Sequence, residues 1–563
     1  GVRLDQKRYD EAVALATDAI QRSAAGPPVY DAYWHSHMVR GKALVALGRL
    51  DEARGSYESA IAAIEQSRPN VPAPDEDQQL FLDDKDRPYY EMFRTFIGRD
   101  PAEALLWVER ARSRTLIEFL TYRHRKSIKS LSAEEQAGET RVEKEMAETN
   151  VSLREARAQT SPDAGLIGRL EKKLAELRNR RAVVLRELYE RHPELAIARG
   201  DIPLPSVDEM RATLAPDEIV AEYVSLPDGA WLIAVTRETA PRIYPIHSDD
   251  EKLRALSEAL SKSIATRDTR VFARSRTLYD LLLRPAEGLL RGKKTIGIVP
   301  DGALRTVPFQ MLQRPDGKFL IQQHAVFYAP SLAFLHWRFT HPTAGAERQL
   351  LAMANPTVSA ATVSKSRQHT RSEDLGSLPE AEEEVRGLQS IYGRAQTTLR
   401  IGAAATEKDF KHEASRYRVL HLATHGMYDD RDPMYSHLVL ARDAGDDDDG
   451  LLEAREIVDL DLHAGLAVLS ACETGRMRAL GGEGMVGLSW AFLGAGCPET
   501  VVSMWPVESA ATARMMIDFH RRLVAGASTP EALRRAEIAL MGTRRYHHPR
   551  YWAPFVVVGA PPR

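Results

Sequence analysis

A chain of 563 residues is too long for one hydrophobic core and calls for about three or four folding units. Hydrophobic residues make up 44% and charged residues 28%, the balance of an ordinary soluble protein, and 76 Lys and Arg against 79 Asp and Glu leave a net charge of -3. No global field therefore recruits nucleic acid or an anionic membrane, so neither is an expected partner. No apolar run approaches the roughly 18 residues of a membrane-spanning segment, and no charged-then-apolar leader opens the chain, which makes the cytoplasm the expected compartment. The two cysteines, Cys472 and Cys497, exclude a four-thiolate zinc site and argue against a disulfide framework. The chain opens on Gly1 partway into a helical pattern, which suggests upstream sequence.

Residues 1–125 repeat a helical phrase. Around Gly48-Arg-Leu-Asp-Glu-Ala53, the positions Gly41, Leu44, Ala53, Tyr57 and Ala60 share helix faces, with small residues allowing close approach and Tyr57 filling the gap. The phrase recurs at Tyr9-Asp-Glu-Ala12 with Ala16 and Ala19, and at Pro101-Ala-Glu-Ala104 with Val108 and Ala111. This pattern resembles tetratricopeptide repeats, whose helix pairs stack into a solenoid, although inserts at Ala24–Pro28 and Gln66–Pro74 stretch the period beyond about 34 residues. A generic helical bundle is the plainer reading. A solenoid implies a surface for substrate or an activating protein partner. Residues 126–200 are dense in charge on both sides of Thr160-Ser-Pro-Asp-Ala-Gly165 and are expected to form an antiparallel helical hairpin, with Leu166, Leu170, Leu174 and Leu177 along its seam.

From Asp201 strands alternate with helices. Expected strands are Ile219–Val224, Ala230–Val235, Thr295–Val299, Leu350–Asn355, Thr397–Ile401, Val419–Ala423, Leu466–Leu469, Glu499–Met504 and Ala553–Val558. Helices are expected near 249–266 and 274–291, and at Pro379–Ile391, Gly484–Phe492 and Ala510–Leu523. The alternation predicts a mostly parallel sheet with helices on both faces. Two acidic or polar segments, Asp443–Gly450 and Thr357–Ser377, read as surface loops. The first lacks the spacing of a calcium-binding loop, and the second is long enough to serve as an activation or self-cleavage segment.

Two apolar runs stop at reactive side chains: Val419-Leu-His-Leu-Ala-Thr-His-Gly426 at His425, and Leu466-Ala-Val-Leu-Ser-Ala-Cys-Glu-Thr-Gly475 at Cys472. If they are neighbouring parallel strands, imidazole and thiol emerge together at the carboxyl edge, where open α/β sheets place their ligand crevice. A thiol needs a base to ionise it, and the same imidazole then protonates a leaving amine. The backbone N–H groups of Gly426 and Cys472 are candidate donors to an oxyanion. A cysteine in an apolar strand is ordinarily inert, and a lone histidine ordinarily satisfies a local hydrogen bond. Joint placement at two strand ends favours the chemical reading. His421 and Cys497 are read as structural.

His421–Gly426, Ser436–Leu440, Leu469–Gly475, Gly482–Gly484, Ala495-Gly496, Met504–Val507 and His548–Trp552, with Val299–Gly302, Val307–Phe309 and Tyr328–Ser331 upstream, together resemble the CHAT domain. That family comprises caspase-like cysteine peptidases related to separase and gingipains and is commonly fused to tetratricopeptide repeats. The resemblance covers about 201–563. It implies a caspase-hemoglobinase fold, with a pseudo-protease-like half at 201–347 and a catalytic half at 348–563. It also implies His425 as general acid and base, Cys472 as nucleophile, and no metal or organic cofactor. Separase-like enzymes build a substrate pocket after the Trp-bearing strand, which here points to Trp505 and Glu508. Ser509 stands where many relatives have a second acid, and Glu473 is a candidate for orienting the site. The expected function is cleavage of a dedicated protein substrate by a cytoplasmic, bacterial cysteine endopeptidase. The alternatives are a catalytically silent interaction scaffold on a protease fold, or a thiol acyltransferase or amidase acting on small molecules.

Overall fold

The computed structural model describes residues 2–24, 30–67, 85–112, 204–342, 345–369, 375–429, 433–442, 448–471, 478–479 and 485–561, with scattered positions between 141 and 184. The chain divides into two compact units, one within Gly1–Leu204 and one running from Pro205.

The first unit is helical. Helices α1 (Tyr9–Ala24), α2 (Tyr30–Ala46), α3 (Leu50–Ser67), α4 (Arg87–Phe96) and α5 (Pro101–Arg112) follow one another, and α1, α2 and α3 pack in sequence. The repeated small residues explain the packing. Ala43, Leu44, Ala53, Tyr57 and Ala60 are fully buried, and a Cβ on Gly41 would meet the Tyr57 ring at 2.3 Å, so glycine is what lets α2 approach α3. Ala12, Ala16, Ala104, Val108 and Ala111 are buried in the same way in α1 and α5. Among the described positions of 141–184, Val142, Met146 and Leu177 cluster with Ile167, Leu170 and Val184. The expected seam positions Leu170 and Leu177 therefore do bury apolar surface, while Leu174 lies outside the described residues.

The second unit is built on one mixed sheet of 11 strands. In chain order these are β1 (Glu218–Leu226), β2 (Gly229–Thr236), β3 (Arg242–Ile246), β4 (Thr295–Val299), β5 (Ala325–Tyr328), β6 (Arg348–Ala354), β7 (Thr397–Ile401), β8 (Tyr417–Ala423), β12 (Leu466–Leu469), β15 (Glu499–Ser503) and β16 (Phe555–Gly559). Three short strands, β9 (Gly426–Met427), β10 (His437–Val439) and β11 (Leu451–Glu453), form a separate sheet, and β13 (Arg478–Ala479) pairs with β14 (Met485–Val486). The spatial order is β3-β2-β1-β4-β5-β16-β15-β12-β8-β6-β7, antiparallel only along β3-β2-β1 and between β16 and β15. Strands of both the 201–347 and the 348–563 segments thus lie in the same sheet. They are stitched by β16, which runs parallel to β5 and antiparallel to β15. Gln310 reinforces the seam, its Nε2 donating to the carbonyls of Ala553 (2.9 Å) and Phe555 (3.3 Å).

Of the helices that cover the sheet, α6 (Asp250–Ala265), α7 (Val271–Leu282), α9 (Pro379–Tyr392) and α11 (Ser509–Val524) fall close to their expected positions. Val385 and Leu388 of α9 and Ile517 of α11 pack on Leu350, Ala352, Ala354 and Ala423 of β6 and β8. A Cβ on Gly387 would stand 2.8 Å from Ile517, which sets how closely α9 and α11 approach. Two expectations need correction, and one helix is additional. The helix expected over Gly484–Phe492 begins only at α10 (Leu488–Gly494), because Met485 and Val486 pair as a strand and Gly487, at φ 154°, breaks the chain direction before the helix. The polar segment 357–377 contains helix α8 (Ala360–His369). Helix α12 (Thr529–Met541), with Pro530 in its first turn, was not anticipated.

Two outcomes test the seam. Gly559, at φ +128°, has the Pro498 carbonyl 2.2 Å from where a Cβ would stand, so Gly559→Ala combines backbone strain with a backbone clash. A destabilisation of about 3 kcal/mol is expected, read as a lowered melting temperature of the α/β unit. Burial pushes the Glu499 carboxyl up to about 8, against the Thr529 hydroxyl (2.6 Å) and the nearby Arg338. A carboxyl raised above its unfolded value contributes stability that is intact below the unfolded pKa and lost as pH rises through the folded one. Wild-type melting temperature should therefore fall between about pH 5 and 8, and Glu499→Gln should flatten that fall.

Candidate active site

Strands β8 and β12 lie side by side and parallel, with Val419 opposite Leu466, His421 opposite Val468 and Leu422 opposite Leu469. Their apolar residues are buried on both faces, which is why these runs carry no polar alternation. Both strands therefore end at the same edge of the sheet. His425 stands three residues past Leu422, at the β8 to β9 turn. On the β12 side the description reaches Ala471, whose carbonyl accepts from the Ser503 hydroxyl of β15 at 2.6 Å. The expected nucleophile Cys472 and its neighbour Glu473 lie outside the described residues.

The backbone around His425 is held from several sides. Its carbonyl accepts from Val439 N–H at 2.9 Å, and the Thr424 hydroxyl donates to the Val439 carbonyl. Gly426 pairs across from Leu438 in β10. In an antiparallel ladder a bond from Val439 N–H to the His425 carbonyl makes the Gly426–Leu438 pair the non-hydrogen-bonded kind, so Gly426 aims its own N–H away from β10. The His425 ring is held as well: Nε2 lies 2.8 Å from the carbonyl of Gly376. A carbonyl only accepts, so Nε2 carries the hydrogen and Nδ1 of the neutral ring is left as the basic nitrogen.

One group that sequence reasoning described only as buried support is part of a longer chain. His421 is fully buried on β8, with Nε2 at 2.7 Å from Glu384 Oε1 of α9 and Nδ1 at 3.0 Å from His520 Nε2 of α11. His520 Nδ1 in turn lies 2.9 Å from the Tyr392 hydroxyl. Burial, with His421 alongside, holds His520 well below the usual histidine range, so it is neutral. One arrangement uses every hydrogen once: Tyr392 O–H donates to His520, His520 N–H to His421, and His421 N–H to the Glu384 carboxylate. Two of the links fix α9 and α11 onto β8 and the third ties the two helices to each other, and losing one partner leaves a buried polar atom costing about 1–3 kcal/mol. No short motif announces this chain, because its members come from three separate elements.

The expected pocket residues sit after β15. Trp505 is half-buried and its indole N–H donates to the Arg550 carbonyl at 3.1 Å. Glu508 is the N-cap of α11: Oε2 accepts from Ala511 N–H at 2.7 Å, and Oε1 lies 3.7 Å from Arg545. The described end of the acidic run is tied down. Asp448 pairs with Lys411 at 2.8 Å, Asp449 pairs with Lys365, and Lys411 also meets Glu407 (2.5 Å) and Glu456 (3.0 Å). Residues 443–447 lie outside the described residues. Among the described residues no group of three or more His, Cys, Asp or Glu is placed to hold a metal ion, and no helix is long and apolar enough to cross a membrane.

The model of the CHAT domain matches residues 273–560, more than half of the chain, and the chain belongs to the CHAT-domain family. Tetratricopeptide repeat protein 28 of Homo sapiens is 26% identical over 328 residues, covering 51% of this chain and 13% of that protein. Its Mus musculus counterpart is 28% identical over 330 residues, with the same coverage. This chain thus spans a small part of the length of the curated relatives it matches. Among solved structures, the separase–securin complex of Saccharomyces cerevisiae aligns over 96% of this chain and 54% of its own, at 11% identity and a TM-score of 0.44. The Arg-specific cysteine proteinase gingipain R aligns over 56% of this chain and 70% of its own, at 10% identity and a TM-score of 0.33.

Cys497 is fully buried at the start of β15, its thiol donates to the Glu499 carbonyl at 3.1 Å, and burial pushes its pKa up to about 12. It is therefore inert at neutral pH. Native protein treated with iodoacetamide at neutral pH should take up one equivalent per chain, and Cys472→Ala should take up none. Both should gain one more in denaturant, read by intact mass.

Proposed function

We propose that this protein is a cysteine endopeptidase in which Cys472 and His425 act as a dyad. The observation that carries this reading is the β8–β12 register. Leu422 lies opposite Leu469, and three residues further along each strand direction come His425 and Cys472. Family membership supports it, since caspase-like cysteine peptidases are what the CHAT resemblance implies.

The reaction follows from what each group offers. With Nε2–H donated to Gly376, His425 Nδ1 takes the proton of the Cys472 thiol, giving a thiolate and an imidazolium. The thiolate attacks the substrate carbonyl carbon and its electrons move onto oxygen. The N–H groups of Gly426 and Cys472 receive that oxyanion. Collapse breaks the C–N bond as the imidazolium delivers its proton to the departing amine, leaving a thioester. The neutral imidazole then takes a proton from water, whose oxygen attacks the thioester, and the acid product leaves as the thiol is restored. No step calls on a metal or organic cofactor.

Other assignments belong to the same proposal. Glu508, Trp505 and Glu473 line the pocket for the residue before the scissile bond. The Glu508 carboxylate already faces the cation of Arg545, so a basic substrate side chain would take that place. The 201–347 segment braces the catalytic half, supported by the shared sheet and by the packing of β13 against Gly302–Thr306. The helical repeats and the 126–200 hairpin recruit a protein substrate or an activating partner.

A search of cell lysate for new protein N-termini tests the reading. Wild type should generate them, and Cys472→Ala and His425→Ala should each reduce their yield by at least about a thousandfold. Equal termini with all three proteins, together with no labelling of Cys472 by an electrophilic peptide, would leave the interaction scaffold as the function.

A further inference from the structure

We propose that Asn355 is a positioning residue for this reaction: it anchors the strap Leu375–Leu378, whose Gly376 carbonyl orients His425. The proposal rests on the dyad reading above and deepens it.

Asn355 follows the last residue of β6 and has φ +47°, a left-handed conformation that asparagine tolerates better than most residues. That turn sends the chain off the carboxyl edge, and Asn355 N–H donates to the Ala423 carbonyl at the end of β8 (3.2 Å). The backbone of Asn355 is thus tied to the strand that delivers His425. Its side chain reaches the other way. Oδ1 accepts from Leu378 N–H at 2.7 Å and from the Ser377 hydroxyl at 3.2 Å, and Leu378 is the N-cap residue of α9. One amide therefore links the end of β8, the strap and the start of α9.

The strap has a second anchor on the far side of Gly376. Leu375 packs with Val358 against Met427, Val439 and Leu451, the apolar patch of the three-stranded sheet that begins at Gly426. Between the two anchors stands Gly376, exposed and without a side chain, its carbonyl 2.8 Å from His425 Nε2. A carbonyl there does two things. It fixes the ring's tautomer and plane, and it stabilises the imidazolium that accompanies the thiolate. Slack in the strap would cost both, and a displacement of about 1 Å at such a position is worth about a hundredfold in rate.

The test uses the full chain and reads the rate of Cys472 alkylation by iodoacetamide against pH, since buried Cys497 contributes nothing. Asn355→Gly keeps the left-handed backbone without strain and deletes only the amide. The alkylation inflection should move up toward the free-thiol value of about 8.5, and kcat for a cleaved peptide should fall about tenfold to a hundredfold with KM nearly unchanged. Asn355→Asp keeps an oxygen that accepts from the Leu378 N–H and the Ser377 hydroxyl, so it should retain most of the wild-type profile. His425→Ala separates the two claims. If it leaves the inflection in place, the dyad reading fails. If it moves the inflection while Asn355→Gly does not, the dyad stands and the role of Asn355 is overturned. A lowered melting temperature with a wild-type profile in Asn355→Gly also overturns it.

Discussion

The parallel pairing of β8 with β12 is the constraint on which the candidate site depends. Parallel strands share a direction, so whatever follows each of them emerges at one edge, and a slip of one residue in register would turn alternate side chains to the opposite face. Here slippage is opposed from both sides. β6 pairs with β8 along six positions from Arg348 to Ala354, and β15 pairs with β12 while its Ser503 hydroxyl holds the Ala471 carbonyl. The four-strand set β15-β12-β8-β6 is thus a ruler that fixes where the chain leaves each strand.

That ruler is held in a larger sheet through β16. Because β16 lies between β5 and β15, the strands near the start of the α/β unit and those carrying the candidate site are joined only by pairs between residues far apart along the chain. Such pairs form late, since a long loop must close before they contribute. The close contact at Gly559 and the Gln310 bridge to Ala553 and Phe555 show how little room the seam leaves.

Around the site, polar groups set positions at two depths. Below the sheet edge, the buried chain Glu384–His421–His520–Tyr392 fastens α9 and α11 to β8 and replaces what would otherwise be an apolar contact by one with defined directions. At the edge itself, Asn355 and Gly376 hold the strap and the His425 ring. Helix α9 takes part in both, through Glu384 and through its N-cap residue Leu378, so its docking on β6 and β8 couples the interior to the rim.

Much of this was legible in the residues. The small-residue phrases of the helical unit marked buried faces because helix periodicity repeats every few residues, and the runs ending at His425 and at Cys472 read as buried strands because their apolar residues are continuous. Strands β9, β10 and β11 were not legible, being only two or three residues long and too short to show a period. Helix α8 was hidden by polar composition, and the start of α10 was misplaced because Gly487 interrupts it. The sequence by itself determined most of the longer strands and helices, which of their faces are apolar, and which side chains follow the strands, since those properties follow from local spacing. Only the tertiary structure decided the order of strands across the sheet, the carbonyl that meets His425, the anchoring of that carbonyl by Asn355, and the partners of His421. Each of these is a pairing between residues distant in the chain, where geometry alone selects the partner.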